Sequence, residues 1–149
     1  MQPLNLPPFD FRLNILNEKQ YIFDTIRKKY VMNSPEEWVR QHFVNFLIHH
    51  RNYSKNLIKL ESGILYGKRQ KRTDIQVFDN EGMLRIIVEC KAPEIKLNAK
   101  VISQILQYHK ILNAQLLAIT NGIDHVFISL KNKNKIEYLS DFPPQDFEI

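Results

Sequence analysis

Two acids and a lysine define the chemistry this chain could attempt. Asp74 stands at the head of one apolar run, Thr73–Phe78, and Glu89-Cys90-Lys91 lies near the end of another, Arg85-Ile86-Ile87-Val88-Glu89-Cys90-Lys91-Ala92-Pro93. The second run is short, rich in β-branched residues and stopped by a proline, which is the pattern of a buried strand. Side chains alternate along a strand, so Glu89 and Lys91 share one face while Cys90 points to the other. Burying a carboxylate and an ammonium together costs several kcal/mol unless something offsets it. The pair is therefore either a structural ion pair or part of a site that needs both groups. Asp79-Asn80-Glu81-Gly82 has turn chemistry and joins the two runs as a hairpin, which brings Asp74 to the strand beside Glu89. Two carboxylates next to a lysine suit a hard divalent cation held through oxygen, Mg²⁺ or Mn²⁺. Such an ion offsets the crowding of acids, lowers the pKa of a bound water and neutralises charge on a phosphate in transfer. Lys91 would orient or deprotonate that water, or balance the transition-state charge.

These residues need elements to position them. Ser34-Pro35-Glu36-Glu37 is a helix start: serine at the N-cap, proline at the first position, glutamate at the third. Val39, Phe43, Phe46 and Leu47 then fall on one face, and stepping about 100° per residue places Glu36 near its middle. Glu36 thus reads as pointing toward the core and the acids, or as an acid complementing the helix dipole; Glu37 reads as the capping-box residue. Leu57–Leu65 reads as a strand carrying Glu61, which either approaches the same ion or is exposed. Lys68-Arg69-Gln70-Lys71-Arg72 reads as a basic loop, either a solvated face or a contact for a DNA backbone. Asn98 can cap a helix reaching Asn113, with Ile102, Ile105, Leu106 and Leu112 as its stripe. Strands Gln115–Ile119 and Val126–Leu130 follow, separated by Thr120-Asn121-Gly122, and Lys135–Leu139 is a further candidate. Ahead of all this, Phe9–Leu16 and Gln20–Phe23 flank Asn17-Glu18-Lys19 as a hairpin extension over 9–23, and Thr25–Tyr30 reads as a short helix. The tail, 140–149, contains Pro143-Pro144 and reads as irregular.

The element order gives an α/β fold, a mixed sheet flanked by helices, in which the crossover after Lys91 makes the next strand parallel to its predecessor. At 149 residues the chain has room for one domain, with its core at about 34–130. The excess of 21 Lys and Arg over 16 Asp and Glu fits a nucleic-acid partner without requiring one. One cysteine excludes an internal disulfide, no Cys/His cluster has zinc spacing, and no apolar stretch reaches the roughly 20 residues of a membrane span. With no secretory signal pattern at its start, the chain is expected to be cytoplasmic, with no membrane partner. Cys90 reads as a small buried hydrophobe, and His49, His50 and His109 as structural.

Asp74, a hairpin and then Glu89-Cys90-Lys91 resemble the signature of the PD-(D/E)xK nuclease superfamily, and the helix–strands–helix–strand order resembles its αβββαβ restriction-endonuclease-like core. Gln104-Ile105-Leu106-Gln107-Tyr108 is similar to the Q-x-x-x-Y motif of the nuclease in type I restriction enzyme R subunits. Pro35-Glu36-Glu37-Trp38-Val39-Arg40-Gln41 and Thr120-Asn121-Gly122 are similar to the same N-terminal nuclease family. The resemblance runs from about Ser34 to about Leu130. It implies Mg²⁺-dependent hydrolysis of DNA phosphodiester bonds, with Asp74, Glu89 and the Cys90 carbonyl as metal ligands, Glu36 as an auxiliary acid and Lys91 as the catalytic lysine. Gln104 and Tyr108, one turn apart on a helix, would position the site or contact DNA; an ordinary helix-flank role is the other reading of them. The sequence departs from the pattern at Thr73, where proline is usual, and it has no G-x-x-x-x-G-K-[ST] motif. It therefore reads as a stand-alone R-subunit-like nuclease domain that works with a separate motor or specificity protein. A C2 homodimer would serve where both strands are cut. The rival readings are a DNA-binding or assembly module that keeps the fold without cutting, and an enzyme using the same metal site on another phosphorylated substrate.

Overall fold

The computed structural model describes residues 2–66, 69–110 and 112–145, and over residues 62–72 its backbone only. Among the described residues two sheets, two α-helices and a 3₁₀ turn at Lys55–Leu57 make up the fold. The first sheet has three antiparallel strands, β1 (Leu13–Leu16), β2 (Lys19–Asp24) and β3 (Lys29–Met32), in sequence order. The second has six: β4 (Ile58–Tyr66), β5 (Arg69–Phe78), β6 (Leu84–Cys90), β7 (Leu116–Thr120), β8 (His125–Ser129) and β9 (Glu137–Leu139), also in sequence order. Helix α1 (Pro35–His50) precedes β4, and α2 (Ala99–His109) carries the crossover from β6 to β7. Those two strands are parallel, as the crossover predicts, and the other neighbours are antiparallel. The mixed α/β architecture expected from the sequence is the one observed.

Alternation along β6 and β7 sorts the apolar side chains into two layers. Ile86, Val88, Cys90, Leu116 and Ala118 pack with Val39, Phe43 and Leu47 of α1 on one face. Ile87, Leu117, Ile119 and Ile128 pack with Ile105 of α2 on the other. The middle of β6 and all of β7 are buried on both faces, which is why Ile86–Val88 and Leu116–Ile119 run apolar without a polar alternate.

Several sequence expectations are corrected. Thr25–Tyr30 is not helical: the Asp24 carboxylate accepts hydrogen bonds from the Ile26 and Arg27 amides, Lys28 adopts φ 56°, and the chain reverses into β3. Local capping by an aspartate thus wins over helix propensity. The expected N-terminal hairpin is therefore a three-stranded meander, whose first turn holds Asn17 and Glu18 at φ 50° and 64°, as a two-residue hairpin turn requires. Arg69–Arg72 are not a loop but the start of β5, paired with Gly63–Tyr66. Helix α2 stops at His109, short of Asn113. The tail has no regular element at 140–145, yet Phe142 is fully buried against Phe43, Tyr53 and Phe127.

Residues 2–11 run along α1, with Leu4 and Leu6 against the core between helix and sheet and the aromatic residues on the helix's other side. Phe9 meets His42 edge-on, Phe11 meets Trp38, and the Trp38 indole donates to the Gln2 carbonyl. Further along, the Asn5 amide donates to the Gly122 carbonyl at 2.7 Å. Gly122 has φ 84°, and a Cβ there would stand 2.8 Å from Leu4, so this turn requires glycine twice over.

Candidate active site

Asp74 sits one step beyond the last β5–β6 pair, Ile75↔Val88, and so directly opposite Glu89. The backbone ladder has ended there, and the Cys90 amide donates to Asp74 Oδ2 at 2.7 Å in its place. On the other side, β4 and β5 pair at Leu60↔Ile75 and Ser62↔Thr73 but skip the position between, where Glu61 has φ 48°. Glu61, Asp74 and Glu89 thus stand abreast on three adjacent strands, at the point where the sheet loses its regular bonding. A left-handed glutamate inside a strand costs on the order of 1–2 kcal/mol and must be held there.

Two arginines hold it. Arg40 of α1 is buried, its side chain 3% exposed, and reaches Glu37 at 2.8 Å, Asp74 at 3.1 Å, Glu61 at 3.3 Å and Glu36 at 3.4 Å. Arg27, from the turn after β2, pairs with Asp24, Glu37 at 2.6 Å and Glu61 at 3.0 Å. Burial disfavours both guanidinium charges, but the surrounding carboxylates more than compensate and leave both arginines with raised pKa values.

Glu37, not Glu36, is the glutamate that turns inward, and Glu36 keeps the place of a first-turn acid, the other reading given for it. Glu36, expected to face the core, is 46% exposed at the edge of the Arg40 fork, whereas Glu37 is buried between the two arginines and Gln41. Ser34 does accept from the Glu37 amide at 3.0 Å, as a helix cap should. The N-terminal segment and first sheet cover what would otherwise be the solvent side of α1, which turns an exposed capping glutamate into a buried one.

Beyond Asp74 the structure opens. Asp74, Glu89, Lys91, Gln104, Tyr108 and His109 line a cleft of about 520 Å³ with Ile95, Val101 and Ile105. Lys91 Nζ lies 3.6 Å from Glu89 Oε1, and His109 Nε2 lies 3.2 Å from Glu89 Oε2. Burial, and then the Glu89 charge, push the Asp74 carboxyl up to about 6 against the pull of the Cys90 amide and Arg40. Cys90 is wholly buried in the α1-side core and its thiol is pushed well up by burial, so only its backbone is available here. The Asn121 side chain donates to the Ile95 carbonyl at 2.7 Å and accepts from the Ile123 and Asp124 amides. The turn after β7 thereby fastens the loop that forms one wall of the cleft.

Of the residues singled out from sequence, Asp74, Glu89, Lys91, Gln104 and Tyr108 come together on this cleft, and Glu36 and Glu61 stand on the arginine side of Asp74. Lys68 lies outside the described residues, as do the side chains of Arg69, Lys71 and Arg72. Sequence reasoning missed Arg40, Arg27 and His109. The i, i+4 spacing of Glu36 and Arg40 was a signal for the first. Nothing local pointed to Arg27.

A family description of the type I restriction enzyme R protein N terminus matches residues 35–143. The chain belongs to that family. Among solved structures, a fragment assigned to an HsdR subunit of a type I restriction enzyme from Vibrio vulnificus YJ016 superposes with a TM-score of 0.56 at 19% identity, over 76% of this chain and 24% of that one. The two share a fold, and this chain corresponds to about a quarter of the larger one. No curated protein matches. Membership of the R-protein N-terminal family supports a nuclease-like role at the level of the family. Among the described residues no helix of the R-protein-like domain is long and apolar enough to cross a membrane.

Proposed function

We propose that the cleft is the active site of a PD-(D/E)xK-type deoxyribonuclease that hydrolyses DNA phosphodiester bonds with Mg²⁺ or Mn²⁺. The observation that carries this reading is the meeting of Asp74, Glu89 and Lys91 on one open cleft, at the end of a strand pair whose backbone bonding has just stopped. The donor set fits a hard cation: two carboxylates and the Cys90 carbonyl, all oxygen. Two neighbouring acids, one of them with its pKa raised by burial and by the other's charge, are the electrostatic setting a divalent cation relieves.

When bound, the ion would supply Lewis-acid polarisation of the phosphate and a water of lowered pKa. The chain's own groups do the rest. Asp74 is fixed by the Cys90 amide and Arg40 before any ligand arrives, so it is pre-positioned. Lys91 sits at the open side with its ammonium near Glu89, where it can orient the attacking water or meet charge growing on the phosphate. His109 holds the second Glu89 oxygen. Gln104 and Tyr108 border the cleft from α2 and would contact the substrate strand. A separate motor or specificity protein would bring such a domain to its DNA.

One observation favours the rival reading of a module that binds without cutting: Asp74 is already paired with Arg40 at 3.1 Å and Glu89 with Lys91 at 3.6 Å. Supercoiled and linear DNA incubated with Mg²⁺, Mn²⁺ or EDTA separate the two. Metal-dependent nicking by the wild type, abolished in both Asp74→Ala and Lys91→Ala, is the expected result; DNA retained but uncut under every condition would leave only the module.

A further inference from the structure

The N-terminal sheet precedes the family-matched residues, and exposed side chains stand on the face opposite Ile22 and, at Ile15 of the edge strand, on the same face as well. Its register sorts the side chains. Ile22, paired with Leu13 and Val31, is buried on the inner face together with Asp24. The outer face carries Leu16, Lys19, Tyr21, Phe23, Tyr30 and Met32, of which Leu16, Tyr30 and Met32 are exposed. Phe23 and Tyr30 meet edge to face at 5.2 Å, and the Arg12 guanidinium lies 4.1 Å above the Phe23 ring. The outer-face strand positions hold no carboxylate.

This composition selects among occupants. An apolar protein surface would be met by rings and methionine, and gains nothing from two cations on a face whose strand positions hold no acid. A flat polymer with a negative backbone uses all of them: each base has a π-face that stacks on a ring or a guanidinium plane, and the phosphates meet the cations. In a duplex those base faces are already stacked, so the suited form is a single strand. We propose that the outer face of the N-terminal sheet binds single-stranded DNA, with Tyr21, Tyr30 and the Arg12-covered Phe23 as stacking platform and Arg12 and Lys19 toward the phosphates. Strands lie about 4.8 Å apart and alternate residues about 6.8 Å apart, so the platform accommodates two or three bases. This site is separate from the cleft, and the inference does not depend on the nuclease reading.

The test is fluorescence anisotropy of a labelled oligothymidine titrated with the full chain at low salt in EDTA. Tyr30→Ala should weaken binding about tenfold while Tyr30→Phe keeps it. Arg12→Ala should weaken it and make the salt dependence shallower by about one ion. Lys133→Ala removes the same charge from the β8–β9 loop of the other sheet and should change binding less than twofold. Absence of binding by the wild type, wild-type binding by both Tyr30→Ala and Arg12→Ala, or an equal loss in Lys133→Ala would each overturn the proposal. So would sedimentation showing that the outer-face variants abolish self-association instead, since the face would then belong to protein. Because no divalent ion is present, a chain that binds here yet never cuts with Mg²⁺ keeps this inference and defeats the nuclease reading; cutting without binding at this face does the reverse.

Discussion

The two flanks of Asp74 are built differently. Toward α1 lies a network in which buried Arg40 and half-buried Arg27 meet four acids besides Asp74, and every carboxylate has a guanidinium within 3.4 Å. Toward α2 lies a half-open cleft with one lysine 3.6 Å from one glutamate and a histidine behind it. The first flank fixes geometry, because a buried guanidinium cannot lose its charge and its planar fork locks several oxygens at once. The second opens to solvent, and in the proposed reaction it is the side that would meet substrate. Under the proposed function, pre-organisation and reactivity fall on opposite sides of one aspartate.

The largest effect expected from breaking this division comes from Arg40→Met. It strands Glu37 in a buried site beside one remaining arginine and should cost about 3–5 kcal/mol of unfolding free energy, read by urea denaturation. If Arg40→Met were as stable as the wild type, the α1 flank would not be a structural network. Lys91→Met provides the opposite case. Cleavage should fall at least a hundredfold, about 3 kcal/mol, while stability stays within about 0.5 kcal/mol, because Lys91 is third-exposed and a solvent-screened pair contributes little. A stability loss as large as that of Arg40→Met would erase the contrast between the flanks.

A smaller effect follows from Asp74. Its carboxyl is raised from 3.8 to about 6 in the fold, so the native state binds a proton more tightly than the unfolded chain does. Stability should therefore fall as pH rises from about 4 to about 6 and stay lower above that, by on the order of 2–3 kcal/mol in the metal-free protein. Asp74→Asn should flatten that part of the curve, and Mn²⁺ should restore stability to the wild type at pH 7.5 but not at pH 5. Thermal unfolding across pH with and without Mn²⁺ measures both; an unchanged profile in Asp74→Asn would assign the strain elsewhere.

The cleft side was the more legible from sequence. Residues 85–93 announce a buried strand, the turn at 79–82 fixes its partner, and period-two alternation then determines which acids share a face. The crossover helix and its parallel strand follow from the same pattern. The arginine side was obscure for two physical reasons. Helical periodicity assumes one buried face, whereas residues 37–44 of α1 are buried all round because the N-terminal segment covers the second side. And Arg27 acts from a turn whose form depends on one aspartate bonding two amides, a local choice that outweighs the helical propensity of its neighbours. Long-range cover and local capping are the two effects that composition and spacing do not display.

The bond from the Cys90 amide to Asp74 also sets a length requirement. An aspartate spans the gap between two diverging strands and completes the main-chain bonding that the sheet abandons there. One more methylene would carry the carboxyl about 1.5 Å too far and leave the amide without its acceptor. The acid at 89 reaches instead across to His109 of α2, which takes the longer side chain. The shorter side chain at 74 and the longer one at 89 are therefore not interchangeable, even though both carry the same charge.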